Sequence, residues 1–379
     1  MIPYGRQDIS QSDIDSIVSV LQSDFLTQGP QVPLFERAIA GYCGAEYGVA
    51  VNSATSALHI ACLVLGLGKG DYLWTSPNSF VASSNCGLYC GAYVDFVDID
   101  PKTYNLSAEE LEKKLIQAKK DNKLPKIVIP VHFAGQSCDM KKIHSLGSEY
   151  GFKIIEDASH AIGGKYLNKP VGGCQYSDIT VFSFHPVKII TTAEGGLATT
   201  NSRELAEKMQ LLRSHGVTRN PSLMNKESEG DWYYQQIDLG FNYRMTELQA
   251  ALGISQMQRL DDFVARRNIL RERYDKLLDG MTLVKPSQFE DGLSAMHLYP
   301  IKVNNRAKIF NKLREGGIGA NVHYIPIHMQ PYYKSLGFKS ADLPVSEEYY
   351  NSAISIPLFS TMTKNQQDKV IKCLEKNLK

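Results

Sequence analysis

The chain has 379 residues, of which 43% are hydrophobic and 21% are charged, which is the composition of an ordinary folded protein. Its 41 basic and 40 acidic residues nearly cancel, so charge indicates neither nucleic acid nor a membrane surface as a partner. With no signal-peptide pattern and no long apolar run, we expect a cytoplasmic protein. The seven cysteines are scattered without a CxxC pair, which argues against a metal site.

The length exceeds what one hydrophobic core usually supports, so we predict a large domain over residues 1–250 and a small one over 251–379. The first helix is predicted from Ser12, as its cap, to Leu21. Further along, strand-like runs alternate with helical segments, and this alternation predicts an α/β fold whose central sheet is mainly parallel, with helices on both faces. Ligands of such sheets gather at the carboxyl ends of the strands. The predicted strands cover residues 47–51, 72–75, 93–98, 126–131, 152–156, 179–184 and 197–200.

Residues 52–57 read NSATSA and join a predicted strand to a predicted helix. Small hydroxyl residues at such a turn leave backbone N–H groups free at the positive end of the helix dipole, so we predict a phosphate site there. The alternative is that Ser53 or Thr55 only caps the helix.

Two further residues follow predicted strands. Phe80 comes soon after the strand 72–75, where it either offers an aromatic face to a ligand or belongs to the core. Asp157 directly follows Lys153 to Glu156. A shielded carboxylate stays ionised beside a cation such as a protonated heterocyclic nitrogen, although Asp157 could instead cap residues 158–162.

Residues 183–196 read SFHPVKIITTAEGG and connect two apolar segments. Pro186 ends the first strand, and Gly195 with Gly196 allows the chain to turn into the next one. Lys188 is thus held on a tight connection, where partial burial lowers the pKa of its amine and favours a Schiff-base lysine. The commoner role of a lysine is a solvated surface charge.

These parts complement one another. A phosphate site, an aromatic face, a carboxylate for a ring nitrogen and an amine that captures an aldehyde are the functions that pyridoxal 5'-phosphate requires. We therefore predict this cofactor.

Four stretches are informative in combination: 52–58 (NSATSAL), 156–161 (EDASHA), 183–196 and 240–250 (GFNYRMTELQA). In this order they resemble the DegT/DnrJ/EryC1/StrS sugar aminotransferases, and the resemblance covers essentially the whole chain. It implies fold type I of the pyridoxal phosphate enzymes, with a smaller α/β C-terminal domain, and a homodimer with shared active sites. Some relatives carry histidine at the lysine position and act as dehydratases, whereas Lys188 supports an aminotransferase.

The same resemblance implies residue roles. Lys188 carries the covalent link and the proton transfer, Asp157 partners the ring nitrogen, and His160 lies near the ring hydroxyl. The resemblance further implies that Thr55, Ser56 and Ser183 contact the phosphate of the cofactor. It also implies that Phe80 stacks on the ring and that Asn242 reaches the phosphate from the neighbouring subunit. By the same resemblance, the candidates for binding the sugar nucleotide are Tyr4, Thr27, Gln28, His323, Tyr324 and His328. The last three could equally be interior residues.

The resemblance also implies L-glutamate as amino donor and a nucleotide-linked keto sugar as acceptor. Four further stretches are 2–7 (IPYGRQ), 25–30 (FLTQGP), 231–234 (DWYY) and 321–328 (NVHYIPIH). They resemble the branch of the family that acts in pseudaminic acid synthesis, on the route to flagellar or surface glycans. That branch aminates C4 of UDP-2-acetamido-2,6-dideoxy-β-L-arabino-hexos-4-ulose. Two alternatives are a C4 transaminase for another UDP- or dTDP-4-keto-6-deoxyhexose and a non-catalytic regulatory protein that binds the cofactor.

Overall fold

A computed structural model describes residues 1–378 of the chain. The α-helices of this range are α1 (Gln11–Leu21), α2 (Gln31–Cys43), α3 (Ala54–Val64), α4 (Ala82–Tyr89), α5 (Ala108–Lys120), α6 (Met140–Tyr150), α7 (Arg203–Arg213), α8 (Glu247–Met257), α9 (Leu260–Leu277), α10 (Arg306–Glu315), α11 (Pro331–Ser335), α12 (Pro344–Ser352) and α13 (Lys364–Asn377). Its strands are β1 (Tyr47–Val51), β2 (Tyr72–Thr75), β3 (Tyr93–Phe96), β4 (Ile127–Ile129), β5 (Lys153–Asp157), β6 (Lys165–Tyr166), β7 (Lys169–Pro170), β8 (Ile179–Ser183), β9 (Gly196–Thr200), β10 (Val217–Thr218), β11 (Gln235–Gln236), β12 (Gly292–Leu293), β13 (Tyr299–Lys302) and β14 (Ala353–Ile356).

The central sheet has seven strands in the order β1-β9-β8-β5-β4-β2-β3. Strand β9 pairs antiparallel with both β1 and β8, and the remaining neighbours pair parallel. The exception follows from the short connection after β8, which returns the chain directly instead of crossing over through a helix. The prediction of a mainly parallel α/β sheet is therefore confirmed.

The carboxyl ends of the strands bring distant residues to one edge of this sheet. Asp157 at the end of β5 pairs with Val181 of β8, and Ser183 at the end of β8 pairs with Gly196 of β9. Gly196 also pairs with Val51, the last residue of β1, after which α3 begins. The predicted phosphate turn, the aspartate and the lysine loop thus share this edge.

Helix α1 begins before the predicted cap, so the prediction of Ser12 as its cap is wrong. Ser10 is the cap, because its hydroxyl accepts the Asp13 N–H at 3.3 Å while the Asp13 carboxylate accepts the Ser10 N–H at 2.8 Å. Such a reciprocal pair satisfies two donors that a helix start otherwise leaves free.

A second core lies between α9, α10, α13 and the β13–β14 pair. Ile2 belongs to it, because the Ile2 N–H donates to the Gly317 carbonyl at 2.8 Å and the Ile2 carbonyl accepts the Gly319 N–H. The N-terminal segment is therefore built into the C-terminal part of the molecule. The early residues of α9, such as Phe263, pack in the core around β8, and the later ones, such as Tyr274, pack in the second core. The predicted boundary at residue 250 falls inside α8.

Among the described residues, no helix combines the length and apolar composition that crossing a membrane requires.

Candidate active site

A cavity of about 570 Å³ opens at the carboxyl edge of the central sheet. Lys188 is the one lysine or arginine among the described residues that line it. Most of the predicted site residues meet here, from parts of the chain that are far apart in sequence. Those that line the cavity are Tyr4, Thr55, Phe80, Asp157, His160, Ser183, Lys188, His323 and Tyr324.

One end of the cavity is formed by the start of α3. Ser53 caps this helix, since its hydroxyl accepts the Ser56 N–H at 3.1 Å, and the capping alternative is thus correct for Ser53. Ala54 and Thr55 line the cavity, and their N–H groups belong to the first turn of α3, which has no intrahelical acceptors. Gly196 makes this arrangement possible, because a Cβ there would lie 2.4 Å from the Ala54 nitrogen. The helix start therefore suits an anion, and it lies beside the end of β8.

Ser56 lies behind this turn and does not line the cavity. Its side chain is bonded to Asn52 Oδ1 at 2.6 Å and to Ser53 Oγ at 2.9 Å, and the residue is buried. With its N–H bonded to the Ser53 hydroxyl, Ser56 has both polar groups committed to the turn. Ser56 therefore stabilises the turn at the start of α3.

Asp157 is buried and lines the cavity. Its Oδ2 accepts a hydrogen bond from Ser83 Oγ at 2.6 Å, and its Oδ1 accepts the Ser159 N–H at 3.1 Å. Ser83 in turn lies 2.7 Å from the Ser79 hydroxyl. By this contact Asp157 caps the segment 158–162, as the alternative states, although the segment is a turn and forms no helix. A buried carboxylate held by neutral donors is suited to a cationic partner in the cavity.

Lys188 lies near that carboxylate. Burial lowers the pKa of its amine to about 8, against the opposing effect of the Asp157 charge. The residue is neither fully buried nor fully exposed, and it lines the cavity. The alternative of a solvated surface charge is therefore wrong, since Lys188 is partly buried and lines the cavity.

His160 is a neutral hydrogen-bond relay. Its Nδ1 accepts the Ala134 N–H at 3.3 Å, which places the ring proton on Nε2, and Nε2 lies 3.1 Å from Tyr324 Oη. Burial, followed by the charges of Lys188 and His323, holds the pKa of His160 well below its usual value. Burial also raises the pKa of Tyr324, so this hydroxyl keeps its proton and can donate it towards the cavity.

His297 is a cavity residue that the sequence analysis missed. Its ring centroid lies 4.4 Å from that of His160, and its Nδ1 is buried without a hydrogen-bond partner among residues 1–378. Its carbonyl accepts a hydrogen bond from Arg267, whose guanidinium is buried among carbonyl groups. No local pattern marked this histidine, because its position depends on packing between distant segments.

Other residues that line the cavity are aromatic or polar. Phe80 is 61% exposed, so the alternative that it belongs to the core is wrong, and its ring is available for stacking. The rings of Tyr4 and His323 lie 5.4 Å apart, and His323 is held by Asn321 at 3.2 Å and by the Ser355 hydroxyl at 2.8 Å. His323 is buried and hydrogen-bonded, as the interior alternative states, and it also lines the cavity.

Besides Ser56, four predicted residues do not line the cavity within this chain. His328 is buried away from it, with Nε2 3.0 Å from Glu347 Oε1, as the interior alternative states. The other three lie on the surface, next to residues that lead into α8 or follow α7. They are Thr27 and Gln28, beside the bridge from Thr27 to Thr246, and Asn242, which bridges to Ser214.

The cavity fits pyridoxal phosphate. Thr55 and Ser183 lie at the anion site, Asp157 is placed for a ring nitrogen, and the Lys188 amine is depressed in pKa for reaction with an aldehyde. Phe80 supplies an aromatic face. Within the described part of the chain, no group of three or more His, Cys, Asp or Glu residues could hold a metal ion.

Comparisons with known proteins agree with this arrangement. A model of the DegT/DnrJ/EryC1/StrS aminotransferase family matches residues 7–375. The chain is 36% identical to the UDP-4-amino-4,6-dideoxy-N-acetyl-beta-L-altrosamine transaminase of Campylobacter jejuni (strain 81-176), over 99% of this chain and 98% of that one.

Solved structures show the same fold. Helicobacter pylori PseC, described as an aminotransferase involved in the biosynthesis of pseudoaminic acid, superposes with a TM-score of 0.91 at 31% identity, covering 100% of this chain and 99% of that one. The PLP-form of the putative sugar aminotransferase Spr1654 from Streptococcus pneumoniae gives 0.89 at 29% identity, covering 100% of both chains. The protein is a pyridoxal phosphate-dependent sugar aminotransferase of fold type I, and it belongs to the DegT/DnrJ/EryC1/StrS aminotransferase family.

Proposed function

We propose that this enzyme transfers the amino group of L-glutamate to C4 of a UDP-linked 4-keto-6-deoxy sugar. We further propose that this sugar is UDP-2-acetamido-2,6-dideoxy-β-L-arabino-hexos-4-ulose, as a step of pseudaminic acid synthesis. The observation that carries the proposal is the similarity, over nearly the full length of both chains, to a transaminase named for a UDP-4-amino sugar. Free thiols on all seven cysteines, each within the described range, support a reducing, cytoplasmic location.

The composition of the cavity supports a neutral sugar ring as the amino acceptor. Tyr4, Asn321, His323 and Tyr324 provide hydroxyl, amide and imidazole groups, which suit the hydroxyl and acetamido groups of a sugar. Burial lowers the pKa of His323 to about 3, so this imidazole stays neutral at physiological pH.

We propose the following roles for the residues around the cofactor. Bound pyridoxal phosphate supplies the electron sink that stabilises the carbanion formed when the donor loses its α-proton. The Asp157 carboxylate, fixed by Ser83, holds a proton at the ring nitrogen. Lys188 Nζ accepts and returns the migrating proton, for which a pKa of about 8 is well placed near neutral pH. The Tyr324 hydroxyl, aligned by His160 Nε2, orients the polar groups that surround the reacting carbon.

A homodimer would complete this site with residues that lie on the surface of the single chain. Asn242 is exposed, and so are Thr27 and Gln28. Large apolar side chains flank them, including Phe25 at 53% exposure and Leu239 at 78%. Exposed apolar side chains of this size at a functional edge are typical of a protein interface. We propose that Asn242 contacts the cofactor phosphate in the site of the neighbouring subunit.

A substrate panel tests the reaction. The purified enzyme, loaded with pyridoxal phosphate, is given L-glutamate and one acceptor at a time, and 2-oxoglutarate formation is measured. The proposal expects kcat/KM to be at least about tenfold higher for the UDP β-L-arabino keto sugar than for its C5 epimer or a dTDP-4-keto-6-deoxyhexose, the discrimination of one or two good hydrogen bonds. A preference for a dTDP sugar or for the C5 epimer would contradict it.

Complementation tests the shared site. Lys188→Met and Asn242→Ala are each expected to be nearly inactive as pure dimers. If Asn242 acts across the interface, mixing and re-annealing the two variants forms hybrids in which one site has both wild-type residues, and activity returns. If Asn242 serves its own chain, every site in the mixture carries at least one substitution and activity stays at baseline.

A further inference from the structure

His297 differs from the other buried histidines of the catalytic cavity in its hydrogen bonds. His160, His297 and His323 are each more than nine-tenths buried, and all three line the cavity. His160 has a partner at each ring nitrogen, the Ala134 N–H at 3.3 Å and Tyr324 Oη at 3.1 Å. His323 also has two partners, at 3.2 Å and 2.8 Å. Within the described part of the chain, the ring of His297 has none.

The backbone at His297 is fixed, so the unbonded ring does not belong to a loose segment. The His297 N–H donates to the Ala134 carbonyl at 2.9 Å, and the His297 carbonyl accepts Arg267 Nη1 at 3.3 Å. The ring packs on that of His160, with 4.4 Å between the centroids. An enclosed polar group without a partner costs free energy, so its presence at a cavity wall points to a ligand that supplies the partner.

The two ring nitrogens of His297 have different surroundings. Nδ1 is fully buried without a partner, whereas Nε2 is not fully buried. Because His297 lines the cavity, Nε2 is the nitrogen that faces it. Buried N–H groups without a partner are rarer in proteins than such acceptors, which places the ring proton on Nε2. Burial, followed by the charges of His160 and Lys188, holds the pKa of His297 well below its usual value, so the ring is neutral. His297 thus presents one N–H donor to the cavity.

We propose that His297 Nε2 donates a hydrogen bond to the α-carboxylate of the amino donor. This inference rests on the proposed function, in which the donor is L-glutamate. The α-carboxylate is attached to the carbon that bears the amino group, and this amine takes the place of Lys188 Nζ, which lies in the same cavity as His297. A carboxylate accepts hydrogen bonds and donates none, and its bonds with N–H groups are strong because it is charged.

A neutral donor suits a cavity that receives two different substrates in turn. L-glutamate brings a carboxylate to the reacting carbon, whereas the keto sugar brings hydroxyl and acetamido groups. A buried arginine at the position of His297 would be left with an unpaired charge whenever the sugar occupied the cavity, which is costly. An imidazole N–H can donate to the carboxylate in one half-reaction and to a sugar oxygen in the other.

Two amide substitutions test the position of the donor. Both amides keep an N–H group, but glutamine carries it at about the place of Nε2 and asparagine at about the place of Nδ1. α-Methyl-L-glutamate, which lacks the α-proton and cannot be transaminated, is titrated into the holoenzyme, and Kd is read from the absorbance of the cofactor. We expect His297→Asn to raise Kd at least about tenfold and His297→Gln to raise it less than about threefold.

The control for these variants is His144→Asn, at the surface of α6, which should bind like the wild type. A Kd for His297→Asn that equals the wild-type value, or losses of equal size in His297→Asn and His297→Gln, would overturn the proposal. Should His297→Asn fail to fold, His297→Phe takes its place, because it keeps an aromatic ring against His160 and has no donor.

A ligand series tests which group His297 binds. 4-Aminobutyrate lacks the α-carboxylate of L-glutamate and keeps the other one, whereas 2-aminoisobutyrate keeps only the α-carboxylate. His297→Asn should weaken the binding of 2-aminoisobutyrate by about the same factor as that of α-methyl-L-glutamate, and should change Kd for 4-aminobutyrate less than about twofold. A loss that follows 4-aminobutyrate instead, or that is equal for the two ligands, would refute the contact with the α-carboxylate.

The wild-type enzyme separates failure of this inference from failure of the proposed donor. If L-glutamate converts the bound cofactor to its amine form in the wild type, but Kd is unchanged in His297→Asn, the donor stands and the role of His297 is wrong. If L-glutamate gives no such conversion in the wild type, the proposed donor is wrong and the inference fails with it.

Discussion

Ser83 Oγ lies 2.6 Å from Asp157 Oδ2 and donates a hydrogen bond to it, although the two residues are 74 positions apart in the chain. The contact joins the start of α4 to the end of β5 and fixes the carboxylate that faces the cavity. Both groups are buried. A hydrogen bond to a charged group in such a place contributes about 1.5 to 3 kcal/mol.

Ser83→Ala should therefore impair the enzyme without unfolding it. We expect kcat to fall about tenfold and the cofactor to dissociate more readily, because the carboxylate loses the donor that orients it. The matched control is Ser84→Ala, one residue along the same helix, whose equally buried hydroxyl contacts the Tyr333 hydroxyl at 2.5 Å instead. Equal losses of activity in the two variants would mean that the contact with Asp157 has no special role.

Gly196→Ala should weaken cofactor binding. Its Cβ would lie 2.4 Å from the Ala54 nitrogen, so the start of α3 would have to move away from the start of β9. We expect Kd for pyridoxal phosphate, measured by fluorescence titration, to rise at least about tenfold, or about 1.4 kcal/mol. Gly41→Ala is the control, because a Cβ at Gly41 meets no atom within 4 Å. An unchanged Kd in Gly196→Ala would place the phosphate elsewhere.

Lys188→Met should abolish transamination and stabilise the cofactor-free protein. The pKa of Lys188 is lowered from 10.5 to about 8, so below pH 8 the folded protein holds a charged amine in a site that disfavours it. We expect the free energy of unfolding at pH 7 to rise by about 2 to 3 kcal/mol. This gain in stability should shrink as pH rises from 8 to 10.5, because the wild-type protein then no longer holds a charged amine in the site.

Urea unfolding of the apoprotein measures this difference, with Lys120→Met as the control at an exposed lysine. A Lys188→Met protein that is less stable than the wild type at pH 7 would show that the amine is favourably solvated or paired, contrary to the account above.

Acid should destabilise the protein through the neutral histidines of the cavity. Burial holds the pKa values of His160 and His297 well below 6.5 and lowers that of His323 to about 3. The unfolded chain therefore binds more protons than the native one as pH falls below 6.5, and stability is lost there. Each histidine contributes at most about 1.4 kcal/mol per pH unit.

His297→Gln tests this dependence. Unfolding free energies measured at pH 7.5, 6.0 and 5.0 should fall less steeply in the variant than in the wild type, by up to about 1 kcal/mol per unit. His144→Gln is the control, because His144 lies at the surface of α6. Parallel curves for His297→Gln and the wild type would mean that His297 titrates normally.

The comparison of sequence and structure shows which kinds of residue can be predicted. Asp157 and Lys188 were predictable because each follows a buried hydrophobic strand, and the ends of parallel strands converge. Ser83 and His297 were not, since their roles depend on which elements pack together, as in the contact between His297 and His160. In the stretch 321–328, both histidines are buried, but only His323 lines the cavity.

The most direct test of the central claim is to locate the covalent cofactor on the chain. The purified enzyme is loaded with pyridoxal phosphate, reduced with borohydride to make the link permanent, digested and analysed by mass spectrometry. The account predicts that the cofactor mass is found on the peptide that contains Lys188, and that treatment with L-glutamate before reduction removes it. Label on another lysine, or none on the Lys188 peptide, would contradict the assignment of this cavity as the active site.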